Sequence, residues 1–345
     1  MSRGRTLLLG HPDGPFNLRF DPRVLWLALW LAGVAGVLAM GALGLGSLHL
    51  PVGTVFDALL GKGPALARTV VVQWRLPRVV SALILGAALG MSGTIFQSLV
   101  RNPLGSPDII GFNTGAYTGA LVVMVLWHGG YAEVAAGAIA GGLATALLVY
   151  LLSWRRGIHG LRLIIVGVAV SAMLGALNIW ISLRGSLESV MSAALWAAGS
   201  LNGITWAKSL PSLLCCAVGM LAVLTLGRRM QFLEMGDDAA AALGVPAEQT
   251  RLWLMALGTA LIAAATAATG PVAFIALAAP QIARRLCHQR STLLGAAGVG
   301  AILLLAADLV AQHLFMPRQL PVGVVTVSVG GVYLVWLLIR EAKRT

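Results

Sequence analysis

Ten stretches of this chain are apolar over roughly the length that crosses a bilayer, and they leave little room for any other fold. They cover residues 24–46, 79–99, 109–127, 131–154, 161–183, 210–226, 252–269, 271–286, 292–315 and 320–339. A spanning helix needs about 20 apolar residues. Inside lipid the backbone must satisfy its own polar groups, which helices do without help from a neighbour. Only 10% of the residues are charged, whereas a soluble domain carries about 25%. So little polar surface cannot face water on all sides. The chain reads as an all-α polytopic membrane protein of about ten transmembrane helices.

Residues 1–23 form a polar N-terminal segment, and residues 24–345 form a single transmembrane domain. The first apolar run is longer than the 7–15 residues of a signal-peptide core, so it reads as a retained span. The eighth contains Pro280, which predicts a kink or a tilted crossing. A further apolar piece, 190–199, is too short to cross and reads as a helix lying at the outer face.

Charge sets the orientation. With the N-terminus inside, seventeen lysines and arginines fall in inner segments: Arg3, Arg5, Arg19, Arg23, Arg101, Arg155, Arg156, Arg162, Arg228, Arg229, Arg251, Arg284, Arg285, Arg290, Arg340, Lys343 and Arg344. Seven fall outside: Lys62, Arg68, Arg75, Arg78, Arg184, Lys208 and Arg318. Cytoplasmic loops carry such an excess, so both termini are expected in the cytoplasm. The same bias explains the net charge of +12 without nucleic acid. Five spans is an odd number, so two halves of five would run in opposite senses, as inverted repeats do.

One long polar interruption, 228–251, then lies in the cytoplasm. It holds Glu234, Asp237, Asp238 and Glu248, four of the twelve acidic residues. Its alanine run favours helix. Asp237 and Asp238 would stand in the first turn, where negative charge complements the dipole. Gly244 and Pro246 would end it. A short charged helix between two spans offers a surface to a soluble partner.

No catalytic set is visible. His11, His49, His128, His159, His288 and His313 are scattered, and there is no HExxH, GxSxG or metal-spaced cluster. Cys215, Cys216 and Cys287 form neither a disulfide framework nor a metal pattern. A phosphate-binding GxxxxGK[ST] loop is also missing, so any work must draw on a partner or an ion gradient. Asp308 alone places a carboxylate within a span, toward its outer end, which argues against an ion-coupled carrier. Gly86, Gly90 and Gly93 share a helix face at small-residue spacing, the pattern of close helix packing. Gln97, Asn113, Thr114 and Asn178 are polar residues in or near spans and are candidates for lining a path.

Residues 75–116 are the most distinctive: RLPRVVSALILGAALGMSGTIFQSLVRNPLGSPDIIGFNTGA. The inner turn RNPLGSPD combines two prolines and a glycine, so it is shaped rather than helical. Trp196 with GSL at 199–201, Trp206, GDDAAAALGV at 236–245, GPVAFIALAAP at 270–280, Ala307 with Asp308, and LPVGVVT at 320–326 follow in order. On these pieces, from about residue 50 to the C-terminus, the chain resembles the iron-siderophore and vitamin B12 permease family of ATP-binding-cassette importers.

The resemblance implies that the chain is no enzyme. It implies a bacterial inner-membrane permease with no cofactor of its own, ATP being hydrolysed by a partner. The expected partners are a second, homologous permease forming a heterodimer, two copies of a cytoplasmic ATPase, a periplasmic or lipid-anchored binding protein, and membrane lipid. Gly236, Asp237, Asp238, Ala240, Leu243, Gly244 and Val245 match the family's ATPase-coupling helix. Arg75 and Arg78 match its binding-protein docking arginines, and Arg318 could join them. The cargo implied is a ferric siderophore, a catecholate such as enterobactin, with haem, cobalamin or a hydroxamate chelate as alternatives. An ion-driven secondary transporter is the rival from another class. Two positions depart from the family pattern: Gln281 follows Pro280 where many members have histidine, and Val332 replaces a proline.

Overall fold

The computed structural model describes residues 7–9, 18–20, 22–46, 48–154, 160–287, 292–316 and 318–342. Within the N-terminal segment, strands β1 (Leu7–Leu9) and β2 (Leu18–Phe20) pair antiparallel. Every other regular element described is a helix. In chain order these are α1 (Pro22–Gly44), α2 (Val52–Leu59), α3 (Ala65–Arg68), α4 (Leu76–Val100), α5 (Phe112–Val122), α6 (Tyr131–Ser153) and α7 (Gly160–Arg184). There follow α8 (Leu187–Ala197), α9 (Trp206–Glu234), α10 (Asp237–Ala242), α11 (Ala247–Thr269), α12 (Ile275–Leu286), α13 (Leu293–His313) and α14 (Val322–Ala342).

Among the described residues, seven helical segments are long and apolar enough to cross a membrane. Phe112–Trp127 and Val322–Trp336 are shorter apolar helices. The apolar run 271–286 resolves into four irregular residues followed by α12, which has 12 residues. At 1.5 Å per residue α12 spans only about 18 Å, less than the roughly 30 Å hydrocarbon core. Its helix runs through Pro280 without ending there. Arg3, Arg5, Arg155, Arg156, Arg290, Lys343 and Arg344, which contribute to the charge bias, lie outside the described residues, as do His11, His159 and His288.

The interruption at 228–251 is not one loop. α9 continues through Arg228 and Arg229 to Glu234, and α11 already begins at Ala247. Helix needs backbone pairing rather than apolar side chains, so a span can run on into water. Only α10 and its two short connections stand free between them.

α4 is the central post. It follows directly on α3 and a π-helical stretch, Thr69–Arg75, so one helix runs from Ala65 to Val100. Pro77 sits in the first turn of α4, where its missing N–H costs nothing. The Ala65–Val100 segment buries 78% of its apolar window, against 17% for α9. α4 packs on α9, α11, α12 and α13. Lipid tails are as apolar as leucine, so close backbone approach drives such packing. A Cβ on Gly86 would strike the Gly300 carbonyl of α13, one on Gly90 the Ala296 carbonyl, and one on Gly93 the Ala276 backbone of α12. The glycine face read from the sequence is thus a packing face. α5 and α6 meet the same way, Gly119 against Gly137 and Gly115 against Gly141 and Thr145.

Candidate functional site

The segment expected to couple to an ATPase lies where α4, α9, α10 and α11 converge. Gly236 precedes α10 at φ 119°, a conformation that favours glycine. Gly244 leaves the helix at φ 75°. Ala240 and Val245 turn inward and are buried. Asp237, Asp238, Ala241, Ala242, Leu243 and Gly244 are exposed, so α10 and the turn after it present a small face with two carboxylates, one of them ion-paired, and one leucine.

Asp237 is the ion-paired one. Its Oδ1 accepts from Arg101 Nη2 at 2.7 Å and also from Arg251. The same Arg101 Nη2 donates to the Leu233 carbonyl at 3.1 Å. Arg101 closes α4 in the left-handed region, at φ 51°. One carboxylate therefore joins the end of α4, the start of α11 and α10. Just inside, the Ser98 hydroxyl donates to Glu234 at the end of α9. Gln97 donates to the Leu277 carbonyl of α12 at 3.1 Å and accepts from Arg284. Gln281 donates to the Pro103 carbonyl of the inner turn at 2.9 Å. Glutamine fills that structural role at the position where histidine was expected. α14 runs unbroken through Val332, which is exposed.

At the opposite end of α4, Arg78 forms a two-pronged ion pair with Asp308 of α13, Nε at 2.8 Å and Nη2 at 2.9 Å. Its Nη1 donates to Gln319 at 3.1 Å, and Gln312 donates to the same carboxylate at 2.8 Å. The two side chains are 13% and 2% exposed. Arg75 donates to the carbonyls of Leu43 and Leu48, both at 2.7 Å. The sequence offered Arg75, Arg78 and Arg318 together as docking cations. The first two are spent inside the chain, because carbonyls and a buried carboxylate lie within reach. Arg318 is exposed and has no side-chain partner among the described residues. Asp308 is thus ion-paired with Arg78 rather than standing alone within its span.

A cavity of about 540 Å³ opens between the start of α5, the end of α8, the irregular 271–274 stretch and the start of α14. Asn113, Thr114, Tyr117 and Ser328 give it polar atoms; Pro271, Val324 and Val327 are among its apolar lining. Among the described residues no charged side chain lines it. Two of the four path candidates, Asn113 and Thr114, thus share one wall. The other two do not join them: Gln97 belongs to the inner network, and Asn178 is buried in α7 with an unpaired Oδ1. Asn113 is held by Asp108, which accepts from its Nδ2. Desolvation in the packed turn pushes the Asp108 carboxyl up to about 6, with a Ser106 hydrogen bond opposing. Arg101 and Asp108 bound the RNPLGSPD turn and Glu234 is one of the acids of 228–251, but nothing in the sequence marked their partners, and Arg284 carried no motif signal. Among the described residues no group of histidines, cysteines and carboxylates could hold a metal ion.

Comparison with known proteins fits this geometry. The profile of the FecCD transport family matches residues 34–340. The ferric enterobactin transport system permease protein FepG of Escherichia coli is 54% identical over 93% of this chain and 98% of its own. The iron(3+)-hydroxamate import system permease protein FhuG of Bacillus subtilis is 32% identical over 87% of this chain and 92% of its own. A solved structure of a metal-chelate type ABC transporter in an inward-facing conformation superposes with a TM-score of 0.82. It is 28% identical and covers 92% of this chain and 99% of that one.

Proposed function

Because the chain belongs to the FecCD transport family, we propose that it is the membrane permease subunit of an ATP-binding-cassette importer that carries a ferric siderophore inward. Ferric enterobactin is the favoured cargo. The observation that carries this reading is the 54% identity to FepG, which extends across 98% of that protein. The protein performs no bond chemistry. A separate ATPase hydrolyses ATP, a second permease completes the translocation path, and a binding protein delivers the chelate.

The proposed topology is ten crossings in two inverted halves, with both termini in the cytoplasm of a bacterial inner membrane. Packing supports the inverted plan. If α4 corresponds to α11, α5 to α12 and α6 to α13, then contact of α4 with α13 has its image in α6 with α11. Contact of α5 with α6 has its image in α12 with α13. All four pairs pack.

In this reading Asp238, Leu243 and the alanines beside them meet the ATPase, with Gly236 and Gly244 setting the ends of the coupling helix and Ala240 and Val245 seating it. Arg318 meets the binding protein by steering it electrostatically. Arg75 and Arg78 shape the rim from which Arg318 projects. Asn113 and Thr114 line the path, which offers neutral donors and apolar surface to a chelate rather than fixed cations. Uptake of radiolabelled iron tests the reading in cells that lack the endogenous permease. Ferric enterobactin should enter when this chain is supplied, and ferric hydroxamate, haem or cobalamin should not; the reverse preference would reassign the cargo.

A further inference from the structure

The inner and outer polar clusters are joined by one helix. α4 carries Arg78 near one end and is closed by Arg101 at the other, about 35 Å apart at helical rise. α10 is linked covalently only to α9 and α11. Among the described residues, its side-chain link to α4 is the ion pair of Asp237 with Arg101. The Arg101 backbone at φ 51° lies where glycine is preferred. An arginine therefore occupies a glycine-like position, and its guanidinium spans from α4 to both the last turn of α9 and the first residue of α10.

We propose that Arg101 is a positioning residue that ties displacement of α10 to α4, so that ATP-driven movement reaches the Arg78–Asp308 pair at the far end of the helix. This rests on the reading of the chain as an ATP-driven permease. Without the tie, α10 pulls on α9 and α11 while α4 is engaged through their packing, the Ser98–Glu234 bond and, deeper in the bundle, the Ser92 hydroxyl donating to the Gly258 carbonyl of α11 at 2.7 Å. Arg251, on α11, also holds Asp237. Asp237 thus couples two helices, and Asp238 is left for the partner.

The test uses the assembled importer in proteoliposomes, with ATP inside and binding protein loaded with radiolabelled ferric enterobactin outside. Arg101→Gly removes the guanidinium and relieves the backbone, so thermal stability should hold or rise. ATPase association and basal hydrolysis should stay within twofold of wild type. Chelate transported per ATP hydrolysed should fall at least fivefold, and Arg101→Lys, which keeps the charge, should recover half or more. Asp237→Ala should give a similar loss, with little added by combining it with Arg101→Gly. Wild-type transport per ATP in Arg101→Gly overturns the proposal. So does a loss of stability or ATPase association in step with transport, which would make Arg101 a fold or docking residue. Absence of ATP-dependent uptake by the wild type is a different failure: it sinks the permease reading, and the tie with it.

Discussion

Arg78 and Asp308, 230 positions apart in sequence, meet through two parallel hydrogen bonds of 2.8 and 2.9 Å. The bidentate form is the strong geometry for a guanidinium and a carboxylate. Both side chains are withdrawn from solvent, so neither charge can be left alone cheaply. Removing one member of a buried pair costs about 3–5 kcal/mol, largely because the other is stranded. Asp308→Ala and Arg78→Ala should each lower the thermal stability of detergent-purified protein clearly. The double variant should be less damaged than the sum of the two. Additive losses in such a cycle would show that the residues do not act as a pair.

Arg318 differs from Arg75 and Arg78 in being exposed and unpaired among the described residues. Arg318→Glu should slow binding-protein association severalfold at low salt while leaving stability unchanged. The difference should shrink as salt rises, since exposed charges are screened over about 10 Å at 0.1 M. Surface plasmon resonance at two salt concentrations measures this. Association that ignores both the substitution and the salt would remove Arg318 from the docking surface.

Asp238 on α10 and Leu243 just after it are exposed and unpaired among the described residues, whereas Asp237, exposed too, is held by two arginines. Asp238→Arg should therefore reduce ATPase co-purification with the permease at least fivefold without lowering its thermal stability. Leu243→Ala should act in the same direction by removing the apolar contact. Normal co-purification in both variants would place the ATPase contact elsewhere.

Ser328 lies across the 540 Å³ cavity from α5. Ser328→Trp should fill much of that space and cut chelate uptake tenfold or more, with ATPase and binding-protein association retained. Thr114→Trp should do the same from the opposite wall. Unimpeded uptake in both would show that cargo passes by another route.

The apolar runs made most of the helices legible, because lipid demands a long uninterrupted stretch of apolar side chains wherever a helix crosses. They could not show that α9 continues through Arg228 and Arg229 to Glu234, since a helix emerging into water changes its side chains without changing its hydrogen bonds. Nor could they show that α12 begins only at Ile275, because an irregular apolar segment has the same composition as a helical one. That a short helix stands at Asp237–Ala242 was readable from its aspartates, its alanines and Gly244. The separate fates of Asp237 and Asp238 were not, because they depend on Arg101 and Arg251 arriving from other helices. Asn113, Thr114, Gln97 and Asn178 gave one signal, polarity within apolar surroundings, and the fold sends them to three different places. Arg101 counted toward the inside charge bias and opened the RNPLGSPD turn; its position directly after a 25-residue helix and before Asn102–Pro103 was the available hint that it caps that helix.

The most direct measurement is uptake of radiolabelled ferric enterobactin into proteoliposomes holding the assembled importer, with and without internal ATP and with and without a proton gradient. The account predicts uptake that requires ATP and binding protein and is indifferent to the gradient. Uptake that persists without ATP and collapses when the gradient is dissipated would contradict it.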